Sequence, residues 1–163
     1  MNKEILKYPD PFLKTVCEPV LELNDETKSI IIDLVETLKL STSGVGLAAP
    51  QIGYNKRIFC MKNLTGDIKV VINPIIHSMN MKSKIKNLEG CLSVQFFSAQ
   101  LMRYGEIDVE YRDVNFNTVE ETLNNQEAII FQHEFDHLNG ILFIDRLSRL
   151  QKEIYKKKLK RIL

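Results

Sequence analysis

The chain has 163 residues, 44% of them hydrophobic and 26% charged, with a net charge of +1, an ordinary balance for a globular protein able to bury a core. That balance predicts one domain over 1–163, and three cysteines, Cys17, Cys60 and Cys91, are too few and too odd in number for a disulfide framework. No apolar run approaches the ~18 residues of a membrane span and the opening MNKEILKYPDP lacks a signal h-region, so a cytoplasmic location without membrane association is expected.

Asn24 or Asp25 can cap a first helix, in which Ile30, Ile31, Leu34, Val35 and Leu38 recur at helical spacing to about Leu40. The loop GVGLAAPQIG (44–53) follows. Its Gly44, Gly46 and Ala49 have the G-x-G-x-x-A spacing of a dinucleotide-binding turn, but a helix comes first, Pro50 interrupts any helix after Ala49, and no βαβ pattern follows. Three β-like runs then appear, from Arg57 to Met61, Ile68 to Ile76 and Glu106 to Val114, and in the last Ile107, Val109 and Tyr111 alternate with charged residues. His77 is expected in an exposed turn, and Cys60 as packing inside its apolar strand. A second helix is predicted from about Gln126 to Asn139, capped by Asn124 or Asn125 and ended by Gly140. A third, with Leu147, Leu150 and Ile154 on one face, closes the chain. Strands grouped between helices, without strict β–α alternation, predict an α+β fold.

HEFDH (133–137) carries the strongest chemical signal. On a helix of 3.6 residues per turn His133 and His137 lie only ~40° apart, so both imidazoles can converge on one ion. Glu134, ~60° from His137, can reach a water on that ion without ligating it. Asp136 faces the other side of His133 and is expected to pair or orient. Catalytic metals usually take three protein ligands and leave a position open for water. Downstream only Asp145 is available; upstream Cys91, following a glycine in NLEGCLSV, is the better third ligand, ahead of Cys17 and Cys60.

GVGLAAPQIG, EGCLS (89–93) and QHEFDHLNG (132–140) occur in this order, and together they closely resemble the signature motifs of the peptide deformylases, in their shorter bacterial form. YPDP (8–11), INP (72–74) and GILFIDRL (140–147) extend the resemblance over essentially the whole chain. It implies antiparallel sheets around a central helix carrying HExxH, with an N-terminal and a C-terminal helix. It implies Cys91, His133 and His137 as ligands of Fe²⁺, for which Zn²⁺, Ni²⁺ or Co²⁺ can substitute, and Glu134 as general acid/base. Gln51 and the Leu92 N–H would stabilise an oxyanion; backbone at Val45, Gly46 and Leu92 would pair with a peptide; Ile130 would line the pocket for the substrate's methionine side chain; and Arg103 would stand near the outer substrate site. The implied reaction releases formate from N-formyl-methionyl nascent peptides. Gln95, Phe96 and Phe97 depart from the family pattern beside the outer groove, where proline and polar residues are usual.

Two other readings use the same helix. A zincin-type endopeptidase needs a third His or Glu ligand downstream, and a binding protein that keeps the metal without turnover has no need of Glu134. From Arg146 to the C-terminus there are eight basic residues and one acid, a charge of +7 against −6 for the rest. With the resemblance, this basic tail implies docking on the ribosome through RNA phosphates; DNA is not an expected partner.

Overall fold

The computed structural model describes residues 1–162. Helix α1 (Asp25–Leu40) begins where Asn24 Oδ1 accepts the Thr27 N–H at 2.9 Å, with Asp25 and Glu26 in its positive first turn. Seven strands follow: β1 (Gly46–Ala48), β2 (Ile58–Lys62), β3 (Ile68–Met79), β4 (Lys84–Cys91), β5 (Val94–Tyr104), β6 (Glu106–Arg112) and β7 (Thr118–Asn124). Helix α2 (Asn125–Leu138) carries HEFDH, and helix α3 (Arg149–Ile162) comes last.

Five strands form one antiparallel sheet in the order β1-β2-β3-β6-β7, and β4 and β5 pair as a separate hairpin. The architecture is α+β, as the strand grouping predicts. Successive side chains of a strand point to opposite faces, and β2 shows what this achieves. Ile58 and Cys60 join Ile30, Leu34 and Leu38 of α1, whereas Phe59 and Met61 join Ala128 and Phe131 of α2. The sheet is therefore buried on both faces at this end, and α2 lies between it and the hairpin. Cys60 is packing, and burial pushes its thiol far above the ordinary value.

Helix α2 stops at Gly140, whose φ is +72° and where a Cβ would overlap the Lys14 carbonyl. The chain then forms a 3-10 turn, Phe143–Arg146, before α3. Here the predicted apolar face is corrected. Leu147 is buried but precedes the helix, while Leu150 is 72% and Ile154 46% exposed; the buried residue of α3 is Tyr155. Its ring packs on Tyr8 and Phe97, with centroids 5.8 and 4.8 Å away. These aromatic contacts, rather than Leu150 and Ile154, set the rotation of the helix.

Phe97 also stacks on Phe143 and lies under the Lys158 ammonium. The register slips between the Glu89–Ala99 and Cys91–Val94 pairs, around Phe96 at φ +58°, leaving Phe96 in solvent and turning Phe97 inward. The unusual Gln95-Phe96-Phe97 segment thus anchors α3. His77 sits on β3 rather than in a turn, half-exposed, with Nε2 3.0 Å from Glu110 Oε1.

Candidate metal centre

The period of two along β4 places Glu89 and Cys91 on one face, toward α2, where His133 and His137 lie one turn apart. Cys91 Sγ is 3.4 Å from His137 Nε2, and the ligand atoms of Cys91, His133 and His137 all lie within 4.8 Å of one another. Glu89 Oε1 is 3.0 Å from His133 Nδ1. That carboxylate assigns the ring proton to Nδ1 and leaves the Nε2 lone pair facing Cys91 and His137, the arrangement by which a carboxylate orients a metal-binding imidazole.

Glu89 is itself held by Arg103, whose Nε and Nη2 donate to its two oxygens at 2.7 and 2.9 Å. Arg103 Nη1 donates to Asp136 Oδ2 at 2.7 Å, and Arg146 closes the chain with two further bonds to Asp136, at 2.6 and 2.8 Å. Burial opposes ionisation of Glu89, but Arg103 and His133 outweigh it and hold the carboxyl at about 2. Arg103, 5% exposed, lies in this ion-pair network and does not line the cavity, which corrects its expected place near the outer substrate site. The cause is strand phase: Ala99, Leu101 and Arg103 share the inward face of β5, and a guanidinium survives there only because two carboxylates satisfy it.

The site is suited to a cation. Glu134 Oε2 and His137 Nδ1 are buried without hydrogen-bond partners among the described residues. Burial keeps His137 well below its usual value, in the neutral form that ligates. At His133 burial acts the same way, but the neighbouring Cys91 and Glu89 override it and raise its value well above the ordinary one, so this corner of the site favours a cation, whether proton or metal ion, at Nε2. A thiol, two imidazoles and a supporting carboxylate are the donor set of a borderline-soft divalent metal.

Glu134 is 3% exposed, with Oε1 3.8 Å from His133 Nε2. Burial, reinforced by Glu89 and Asp136, raises its carboxyl to about 7. The short 3-10 turn Ala49–Ile52, opened by Pro50, presents Gln51, which is 1% exposed. Its Oε1 accepts the Ala48 N–H at 2.9 Å, and this fixes the amide orientation. Nε2 consequently faces the centre, 3.0 Å from Ser93 Oγ and 3.6 Å from Cys91 Sγ. The N-terminal segment straps these pieces together: the Leu6 N–H donates to the Gln51 carbonyl at 2.7 Å and the Tyr8 N–H to the Ser93 carbonyl at 2.8 Å.

A cavity of about 340 Å³ opens beside these groups. Gly44, Val45, Gly46 and Gln51 form one wall, residues 87–92 another, and Gln126, Ile129, Ile130, His133 and Glu134 the floor. Val45 already gives its carbonyl to the Lys62 N–H at 2.8 Å, so by antiparallel alternation Gly46 turns its own N–H and C=O away from β2. The glycines of this loop make room for the protein's own side chains, Glu134 at Gly46 and Leu92 at Gly44. Leu92 lies in the two-residue turn between β4 and β5, its carbonyl accepting from Lys7 Nζ at 2.7 Å.

All the site residues expected from sequence except Arg103 and His137 line this cavity, and His137 backs it as one of the three residues that could hold an ion. Sequence reasoning missed Glu89 and Ser93. Both lie inside EGCLS, and the two-residue step from Cys91 to Glu89 was the available signal. Asp145, the downstream rival, instead bonds Lys14 Nζ at 2.5 Å and the Leu142 N–H at 2.9 Å.

A family model described as polypeptide deformylase matches residues 2–153. The chain belongs to this family. It is 41% identical to the peptide deformylase of Fusobacterium nucleatum, over 99% of this chain and 93% of that one. The crystal structure of peptide deformylase from Ehrlichia chaffeensis superposes with a TM-score of 0.89 at 32% identity, covering 99% of this chain and 96% of that one. The Thermotoga maritima structure gives 0.85 at 38%, covering 91% and 99%. The deformylase fold also disposes of the dinucleotide reading, since β1 and the strands after it are paired antiparallel and no βαβ unit follows the glycine loop.

Proposed function

We propose that this chain is a metal-dependent hydrolase that removes the formyl group from N-formyl-methionyl peptides, and that Cys91, His133 and His137 hold the metal. The observation that carries the reading is Glu134, a buried acid poised near neutrality, beside three convergent ligand atoms at the head of a peptide-sized cavity. A bound divalent ion supplies Lewis acidity and a water of lowered pKa. Glu134, at about 7, takes a proton from the attacking water and returns it to the departing amine, so the formyl C–N bond breaks and formate and a free N-terminal methionine result. Gln51 Nε2 and the Leu92 N–H donate to the oxygen on which charge develops. Gly46 offers its backbone as a strand edge to the peptide, flanked by Val45, and Ile130 receives the first side chain.

Iron is the ion this reading favours, because a thiolate ligand in the resembling family holds Fe²⁺; Zn²⁺, Ni²⁺ and Co²⁺ fit the same donors. Metal analysis of protein purified without air tests it. Incubating the iron-loaded protein with a formyl-methionyl peptide should release formate, and the unformylated peptide should stay uncleaved. Internal cleavage would support a peptidase, and no formate would remove the reading. The exposed Lys152, Lys156, Lys157, Lys160 and Arg161 of α3 support salt-dependent contact with ribosomal RNA in the cytoplasm. Unchanged ribosome co-sedimentation after removal of 152–163 would count against that contact. Among the described residues no helix is long and apolar enough to cross a membrane.

A further inference from the structure

The face of β4 that presents Cys91 and Glu89 continues one step outward to Asn87, and the face of α2 that presents His137 and His133 continues to Gln126. Strand and helix therefore meet in three rungs: Cys91 with His137, Glu89 with His133, and Asn87 with Gln126, whose Nε2 is 3.4 Å from Asn87 Oδ1. The last two rungs are unequally spaced on the two elements. From Glu89 to Asn87 is two strand residues, ~6.7 Å. From His133 to Gln126 is seven helical residues, ~10.5 Å. The space so left is floored by Ile129 and Ile130 and belongs to the same cavity. A side chain running outward from the metal centre along α2 thus passes over Ile129 and Ile130 and ends at two carboxamides.

We propose that Asn87 and Gln126 form a hydrogen-bonding end wall of the side-chain pocket. They extend the enzyme's range to first residues whose linear side chain ends in an acceptor, methionine sulfoxide being the nearest to methionine. This rests on the functional reading above. With Oδ1 facing Gln126, Asn87 keeps the two N–H donors of its amide, which suit a sulfoxide oxygen far better than a thioether sulfur. Gln126 is exposed and Asn87 half-buried, so this wall stands at the mouth of the cavity, and an apolar one would offer that oxygen no donor from the protein.

The test compares kcat/KM for three otherwise identical peptides, beginning with formyl-methionine, formyl-norleucine and formyl-methionine sulfoxide, on the iron-loaded full chain. The sulfoxide peptide should be processed within about tenfold of the norleucine peptide. In the double variant N87L/Q126L the sulfoxide-to-norleucine ratio should fall by at least about tenfold. Asn87→Asp, which keeps size but replaces the N–H donors by oxygen, should move the ratio in the same direction and serves if the double variant fails to fold. A wild-type ratio below about one hundredth, or a ratio unmoved by these substitutions, would overturn the end wall. Absence of formate from all three peptides would instead remove the functional reading beneath it.

Discussion

Glu134 lies against a position that has no side chain. A Cβ on Gly46 would stand 2.9 Å from both Glu134 Cγ and Oε1, so β1 and α2 approach as closely as they do only because residue 46 is glycine. Gly46→Ala should displace the carboxyl by a fraction of an ångström to an ångström and lower kcat/KM about 10²-fold, with metal content unchanged. Formate release set beside metal analysis checks this; a variant with full activity would show that Glu134 tolerates displacement.

The Arg103 network should separate stability from metal affinity. Arg103→Met strips the partner from two buried carboxylates and should cost about 3–5 kcal/mol, read by denaturant unfolding. Glu89→Gln weakens the orientation of His133 and should reduce metal affinity about 10–100-fold, read by competition with a chelator.

Gln51→Leu removes the Nε2 donor aimed at the centre and the acceptor of the Ala48 N–H. Turnover should fall about 10²–10³-fold. Equal rates for the variant and the unaltered chain would transfer oxyanion stabilisation to the Leu92 N–H and the metal.

Tyr155→Ala removes the buried anchor of α3 from between Tyr8 and Phe97. Amide protection should drop across Arg149–Ile162 and persist in Asn125–Leu138, because the α2 core cluster contains no residue of α3. Hydrogen exchange by mass spectrometry resolves the two helices.

Acid stability should depend on Asp33. Burial favours its neutral form, but the N-terminal ammonium at 2.8 Å and the Tyr54 hydroxyl at 2.6 Å outweigh this and lower its value. A carboxyl lowered on folding contributes stability above the unfolded value of about 3.9 and loses it as pH falls through the lower folded value. Asp33→Asn should therefore destabilise at neutral pH and flatten the acid limb of a thermal-melting profile below about pH 4.

Much of this was legible in the chain. Helix α1 and helix α2 are written in apolar spacing with asparagines at their starts and, for α2, a glycine at its end, so their limits fall within a residue of those expected. The chemistry of HEFDH is local to one turn of helix and needs no tertiary knowledge. What was hidden depends on contacts between distant segments. The hairpin of β4 and β5 is rich in lysine, asparagine and serine because one of its faces is wet, so it carries little β signal. Arg103 reads as a surface cation until Glu89 and Asp136 are brought beside it. Leu150 and Ile154 read as an apolar face, yet the rotation of α3 is decided by Tyr8 and Phe97, far away in sequence.

The strand β1 has one more consequence. It is an edge of the five-stranded sheet, and an edge that can accept an extended peptide can equally accept a strand from a neighbouring molecule, which is how sheet proteins aggregate. Three residues is too short a template for such growth. Recessed between the β4–β5 turn and α2, β1 would offer pairing only to a chain end thin enough to thread the cleft.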